Sequence, residues 1–167
     1  MTHENRRRAW VEIDVDAWRH NYRAMAEAIH PVTVAPVLKA DGYGLGAVEA
    51  GCAFRDAGAR ILVVSCLAEA EDLAGVGIPV LVLGAPLPDE IDDIVNSGFI
   101  SCSVPDLETA SQVNESARRA GRKAPIHVKI DTGMGRLGIP VNDAETIVEK
   151  ICGFGHIRSE GIYSHFP

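Results

Sequence analysis

The segment Val37-Leu38-Lys39-Ala40-Asp41-Gly42-Tyr43-Gly44-Leu45-Gly46 sets a lysine at the end of an apolar run, directly before a glycine-rich turn. A lysine amine that is desolvated, or set beside another cation, becomes a neutral nucleophile able to form a Schiff base with a carbonyl compound. The glycines let backbone come close to a bound group, and Tyr43 adds a hydroxyl. On its own, the segment fits a solvated strand-end lysine slightly better than a reactive one.

A second segment changes that balance. In Ile126-His127-Val128-Lys129-Ile130-Asp131-Thr132-Gly133-Met134-Gly135-Arg136-Leu137-Gly138, strand alternation sets Ile126, Val128 and Ile130 on one face and His127, Lys129 and Asp131 on the other. If the apolar face meets helices, Lys129 points inward. An unpaired interior ammonium is expensive, so Lys129 is then paired with Asp131 or another inward carboxylate, deprotonated, or chemically modified. Arg136 follows in a glycine-rich turn and is either a surface arginine or a planar, charged fork for a carboxylate or phenolate oxygen. A third segment, Gly161-Ile162-Tyr163-Ser164-His165-Phe166, ends an apolar run on a histidine. A lone histidine there is more often structural. Yet Lys39, Arg136 and His165 all fall at or beyond the carboxyl ends of expected strands, where a parallel barrel assembles its active site.

Gly133-Met134-Gly135-Arg136-Leu137-Gly138 also matches the G-x-G-x-x-G pattern of dinucleotide sites. That fingerprint should open a helix directly, whereas Ile139-Pro140-Val141 intervenes here. A nicotinamide-binding reading is therefore weak.

The elements that must position these residues follow from the hydrophobic pattern. Apolar runs of strand length lie at 34–38, 61–65, 79–83, 99–104, 126–131 and 161–165. Between them, Trp18, Tyr22, Met25 and Ile29 share a helical face, as do Leu107, Ala110, Val113 and Ala117. Asn142 with Glu145 has the form of an N-cap and its third-position partner, and Gly58, Gly98 and Gly121 sit where helices should end. Strand-helix alternation with apolar strands predicts an α/β fold of about six parallel strands, as an open sheet or a barrel. Trp10 to Asp14 alternates as a half-exposed strand outside the main sheet would.

Composition bounds the partners. The 167 residues fit one domain, and a formal net charge of -7 with one short basic cluster, Arg6 to Arg8, argues against nucleic acid. No apolar run approaches the ~20 residues that span a bilayer, and no signal core follows the N-terminus, so a soluble, cytoplasmic protein is expected. Cys52, Cys66, Cys102 and Cys152 lack a CxxC pair and are expected as reduced core residues, with no metal site signalled.

The three segments together, with the opening Trp10-Val11-Glu12-Ile13-Asp14, resemble the alanine racemase family over nearly the whole chain. The resemblance implies a (β/α)8 barrel of fold type III, with pyridoxal 5'-phosphate at its mouth. Lys39 matches the lysine that bonds the cofactor and moves the α-proton on one face of the substrate. Tyr43 matches a tyrosine at the cofactor phosphate, and Arg136 an arginine near the ring oxygen and substrate carboxylate. Lys129 matches a lysine often carbamylated, which would orient Arg136. His165 matches a histidine supporting an arginine at the pyridine nitrogen. Gly42 and Leu45 depart from the alanine and histidine common in the lysine loop.

The implied reaction converts L-alanine to D-alanine for peptidoglycan precursors in a homodimer, with a partner-subunit tyrosine as the opposite base. Serine or another small amino acid as substrate, or a non-catalytic pyridoxal-phosphate-binding module, are the alternatives. Residues 1–167 would be a truncated N-terminal barrel domain without the β-rich C-terminal domain, leaving the first and sixth strands unclosed.

Overall fold

Valine- and isoleucine-rich runs become short, fully covered strands because β-branched side chains suit a pleated surface that helices can cover. The computed structural model describes residues 9–167, so the Arg6 to Arg8 cluster lies outside the described residues. The helical elements are α1 (Val15–Ala28), α2 (Lys39–Gly44), α3 (Ala47–Ala57), α4 (Leu67–Asp72), α5 (Ile91–Ser97), α6 (Leu107–Arg119) and α7 (Ala144–Cys152). Between them lie β1 (Leu62–Val64), β2 (Val80–Val82), β3 (Ile100–Val104), β4 (Ala124–Asp131), β5 (Ile139–Pro140) and β6 (Ile157–Tyr163).

All recorded pairings are parallel. β1, β2, β3 and β4 follow one another across the sheet, and β6 pairs with the other edge of β4. Val37 adds a single parallel bridge to Val63, so the expected strand at 34–38 shrinks to one contact. Pro36 contributes a carbonyl to Val63 N–H but has no N–H of its own, which limits the ladder. The two-residue β5 pairs with the end of β4 outside this sheet and was not expected from the sequence.

The two faces of the sheet differ. Leu62, Val64, Val80, Val82, Ile100, Cys102, Val104, Ile126, Val128 and Ile130 join a continuous core with Ala50, Leu73, Ile94, Ala110, Val113 and Ile151 from the surrounding elements. Burying each large aliphatic side chain contributes about 1.5–3 kcal/mol before entropy is charged against it. The alternate residues Val63, Leu81, Ser101, Ser103, His127, Lys129 and Tyr163 project to the opposite side.

Some local expectations change. Trp10 to Asp14 is irregular rather than a strand, and Asp14 instead caps α1, its carboxylate accepting from the Asp16 and Ala17 N–H groups. Trp18 and Tyr22 reach inward to Phe54, whereas Met25 is exposed beyond them. Asn142 does not cap α7, because residues Val141–Asp143 form a 3₁₀ turn that moves the helix start to Ala144. Gly58 and Gly98 close α3 and α5 in left-handed conformation. The cysteines are all free, but Cys102 alone is fully buried, where burial pushes its thiol up to about 12. Cys66 and Cys152 are exposed.

Candidate active site

Lys39 begins a turn of unusual hand. Ala40, Asp41, Gly42 and Tyr43 take φ of 53°, 52°, 61° and 59° in succession, and for the three non-glycines this left-handed geometry costs about 1–2 kcal/mol each. Hydrogen bonds from outside the turn sustain it. Leu38 N–H donates to the Val63 carbonyl at 2.7 Å, and the Asp41 carboxylate accepts Ala47 N–H at 2.8 Å, at the start of α3. Glu69 grips it from α4, with Oε1 accepting Ala40 N–H at 2.7 Å. Its Oε2 accepts Ser65 N–H at 2.8 Å and the Ser65 hydroxyl at 2.7 Å. Partial burial pushes the Glu69 carboxyl up, but the hydrogen bonds from Ala40, Ser65 and Cys66 outweigh it and hold it below the ordinary carboxylate value. The Lys39 Nζ lies 5.9 Å from the centre of the exposed Tyr43 ring, within cation–π range.

Lys129 is 6% exposed, so the inward placement expected of it holds. The expected ion pair with Asp131 does not form. Lys129 Nζ donates to the Ile130 carbonyl at 2.9 Å and lies 5.5 Å from the centre of the Tyr163 ring. Asp131 turns instead into the following loop, where its Oδ1 accepts the N–H groups of Gly133 and Gly135, each at 3.0 Å. Those bonds, from Gly135 first and Gly133 next, lower the Asp131 pKa. The loop returns so close that a Cβ on Gly138 would stand 2.7 Å from Asp131 N and 3.1 Å from Lys129 Cγ. Only glycine fits there, which fixes how Arg136 is delivered.

Tyr163 carries a polar relay across the inner face. Its hydroxyl meets Ser103 Oγ, whose own proton goes to the Val82 carbonyl at 2.8 Å. Desolvation raises the Tyr163 pKa, against the Ser103 bond and the Arg136 charge. Beyond β6, Thr132 Oγ1 donates to Ser164 Oγ at 3.1 Å, tying the arginine loop to the segment that carries His165.

These pieces surround one cavity of about 490 Å³. Lys39, Lys129, Arg136 and His165 all line it, together with Ser65, Gly84 and Tyr163. Tyr43 is the one sequence-predicted site residue outside its lining, reaching Lys39 only through its ring. Among the described residues the lining includes four basic side chains and no Asp or Glu, so the cavity suits an anion although the chain as a whole is acidic. Glu69, Ser65, Ser103 and Tyr163 were not singled out by sequence reasoning. The available signals were polar residues at inward strand positions and an acid in the first turn after β1, all of which also occur on ordinary surfaces.

A parallel sheet flanked by helices, with Lys39, Arg136 and His165 gathered beyond the carboxyl ends of the strands, defines the class of α/β barrel folds that carry their sites at that end. Comparison with known proteins places the chain within that class. Residues 13–167 match the family described as alanine racemase, N-terminal domain, and the chain belongs to that family. The alanine racemase of Desulforamulus reducens is 36% identical over 161 residues, an alignment covering 94% of this chain and 43% of that protein.

Among solved structures, an alanine racemase of Clostridium difficile 630 in complex with cycloserine superposes with a TM-score of 0.83 at 32% identity, over 90% of this chain and 42% of that one. One from Bartonella henselae with covalently bound pyridoxal phosphate gives a TM-score of 0.83 at 27% identity, covering 92% and 45%. The sheet therefore corresponds to about six strands of a (β/α)8 barrel, incomplete here. The chain spans less than half the length of the curated relatives it matches. Among the described residues no helix is long and apolar enough to cross a membrane.

Proposed function

We propose that this chain is the cofactor-anchoring barrel portion of a pyridoxal-phosphate-dependent amino-acid racemase acting on alanine, supplying D-alanine for peptidoglycan precursors. The observation that carries the reading is the convergence of Lys39, Lys129, Arg136 and His165, from three distant segments, on one cavity without a carboxylate. The residues present fit the cofactor. The cavity is large enough for a small anionic ring compound. At its wall, a Cβ on Gly84 would stand 2.5 Å from the Ser65 carbonyl, so glycine is what lets these two backbone segments approach.

In this reading Lys39 would hold the cofactor through its amine, with Arg136 in the lining and Tyr43 beside the Lys39 amine holding its anionic oxygens. When bound, the cofactor draws into its ring the electron pair left on the substrate α-carbon. Lys39 Nζ would accept or return the α-proton on one face of the substrate. Arg136 pairs with the substrate carboxylate, and the ring of Tyr163 with the stem of Leu137 keeps water from that side. Racemisation needs a second base on the opposite face, and the family resemblance assigns it to a tyrosine of a partner subunit in a homodimer. Carbamylation of Lys129 would replace a buried cation by an anion facing Arg136.

The experiment is α-proton exchange in deuterated water, with the purified protein, pyridoxal phosphate and either L-alanine or L-serine. Deuterium should enter alanine faster than serine, and D-alanine should form where the opposite-face base is also supplied. A faster rate for serine would move the substrate assignment, and no exchange with any small amino acid despite bound cofactor would remove the racemase reading.

A further inference from the structure

We infer that Glu69 is a positioning residue for Lys39, clamping the lysine's own peptide to the cavity wall so that the amine is aimed before any ligand arrives. The inference rests on the reading of Lys39 as the cofactor-bonding residue, and goes beyond it by naming what fixes that residue.

The geometry is specific. Ala40 N–H belongs to the peptide bond that Lys39 begins, so the 2.7 Å bond to Glu69 Oε1 acts one atom beyond the Lys39 carbonyl carbon. The other carboxylate oxygen takes both donors of Ser65, a residue that lines the same cavity. One carboxylate, 29 residues along the chain from Ala40, thereby ties the left-handed lysine turn to the end of β1. A surface acid that merely solvated α4 would have no need to meet three donors from two other segments.

The turn itself supplies the reason. Four consecutive left-handed residues, three of them not glycine, relax unless outside bonds hold them. Lys39 is half-buried and its side chain makes no ion pair within 4.0 Å among the described residues, so its aim depends on its backbone. Asp41 holds the far side of the turn through Ala47 N–H, leaving Glu69 as the side-chain contact to the Lys39–Ala40 peptide. A charged acceptor is stronger than a neutral one, so an amide in its place does not serve equally. Glutamine also presents an NH₂ where Ser65 N–H already donates.

The test follows the rate and site of pyridoxal phosphate capture in the protein, trapped at intervals with borohydride and mapped by peptide mass spectrometry. Circular dichroism and the thermal midpoint are recorded for each variant. Glu69→Gln should slow capture at Lys39 about tenfold with an unchanged circular dichroism spectrum, as expected for loss of a charge-assisted contact. It should also spread the residual label to other lysines. Ser65→Ala, which leaves both backbone donors on Glu69, should slow capture only a few-fold. It keeps the question open to measurement if Glu69→Gln does not fold.

A purely structural Glu69 would lower total label and thermal midpoint together, without redistributing the label, and that result overturns the inference. Wild-type rate and site selectivity in both variants overturns it too. Wild-type protein labelled elsewhere than Lys39 overturns the reading of the site, and the role of Glu69 with it. That failure is distinct, because it appears before any variant is made.

Discussion

The two faces of one parallel sheet are built to opposite rules. Toward the helices, every second residue from Leu62 to Ile130 is apolar and shut away from water. Toward the other side the same strands carry His127 and also Ser101, Ser103, Lys129 and Tyr163, the last four of which meet carbonyls, hydroxyls and a π face. Stability is concentrated on the first face, and the second keeps polar groups desolvated at some cost, as the proposed chemistry would require. His127 shows that cost most openly. Its Nε2 is buried without a hydrogen-bond partner, and Glu160 stands 3.8 Å away.

Substitutions on the two faces should therefore separate folding from function. The largest effect is expected at the site itself: Lys39→Ala should abolish stable pyridoxal phosphate capture while leaving the thermal midpoint close to wild type. Retained capture at the same stoichiometry would break the comparison. On the helix side, Ile126→Ala should destabilise by about 2–5 kcal/mol in urea unfolding, through lost burial and a cavity, with capture by the remaining folded protein unchanged. Next is Lys129→Met, which keeps the stem and removes the buried charge. Stability should hold or rise by about 1 kcal/mol, as when buried ions give way to apolar groups, while exchange at the substrate α-carbon falls. A clear loss of stability in that variant would mean that the ammonium is a structural group.

The smallest effect is one of pH. Desolvation depresses the His127 pKa below its ordinary 6.5, although Glu160 opposes it. The unfolded chain then binds this proton more tightly than the folded one, so the contribution is absent at high pH. Stability falls as pH drops below about 6.5. His127→Gln should flatten that part of the stability–pH curve. An unchanged slope would show that His127 titrates alike in both states.

The same division explains what could be read from the sequence. Apolar runs located β1 to β4 within two residues, because a helix-covered strand must be written in Val, Ile and Leu, whereas the run at 161–165 met only the end of β6, which begins at Ile157 and is largely exposed. The first run shortened to the Val37 bridge, since edge pairing depends on a backbone path that composition does not encode. Lys39, Arg136 and His165 were legible as basic residues beyond strand ends, and the cavity gathers all three. The turning of Asp131 away from Lys129 was not, because alternation gives a shared face but not the loop N–H groups that compete for the carboxylate. The left-handed turn was half legible. Gly42, Gly44 and Gly46 signal positive φ, whereas Ala40, Asp41 and Tyr43 adopt it only because Glu69 and Asp41 secure the turn from each side.

The most direct test of the whole account is the address of the cofactor. The protein is incubated with pyridoxal phosphate, reduced with borohydride, digested, and the modified peptide sequenced by mass spectrometry. The account predicts a single major adduct on the Lys39 amine, within the segment Val37 to Gly46. An adduct centred on Lys129, or scattered over surface lysines without preference, would contradict it.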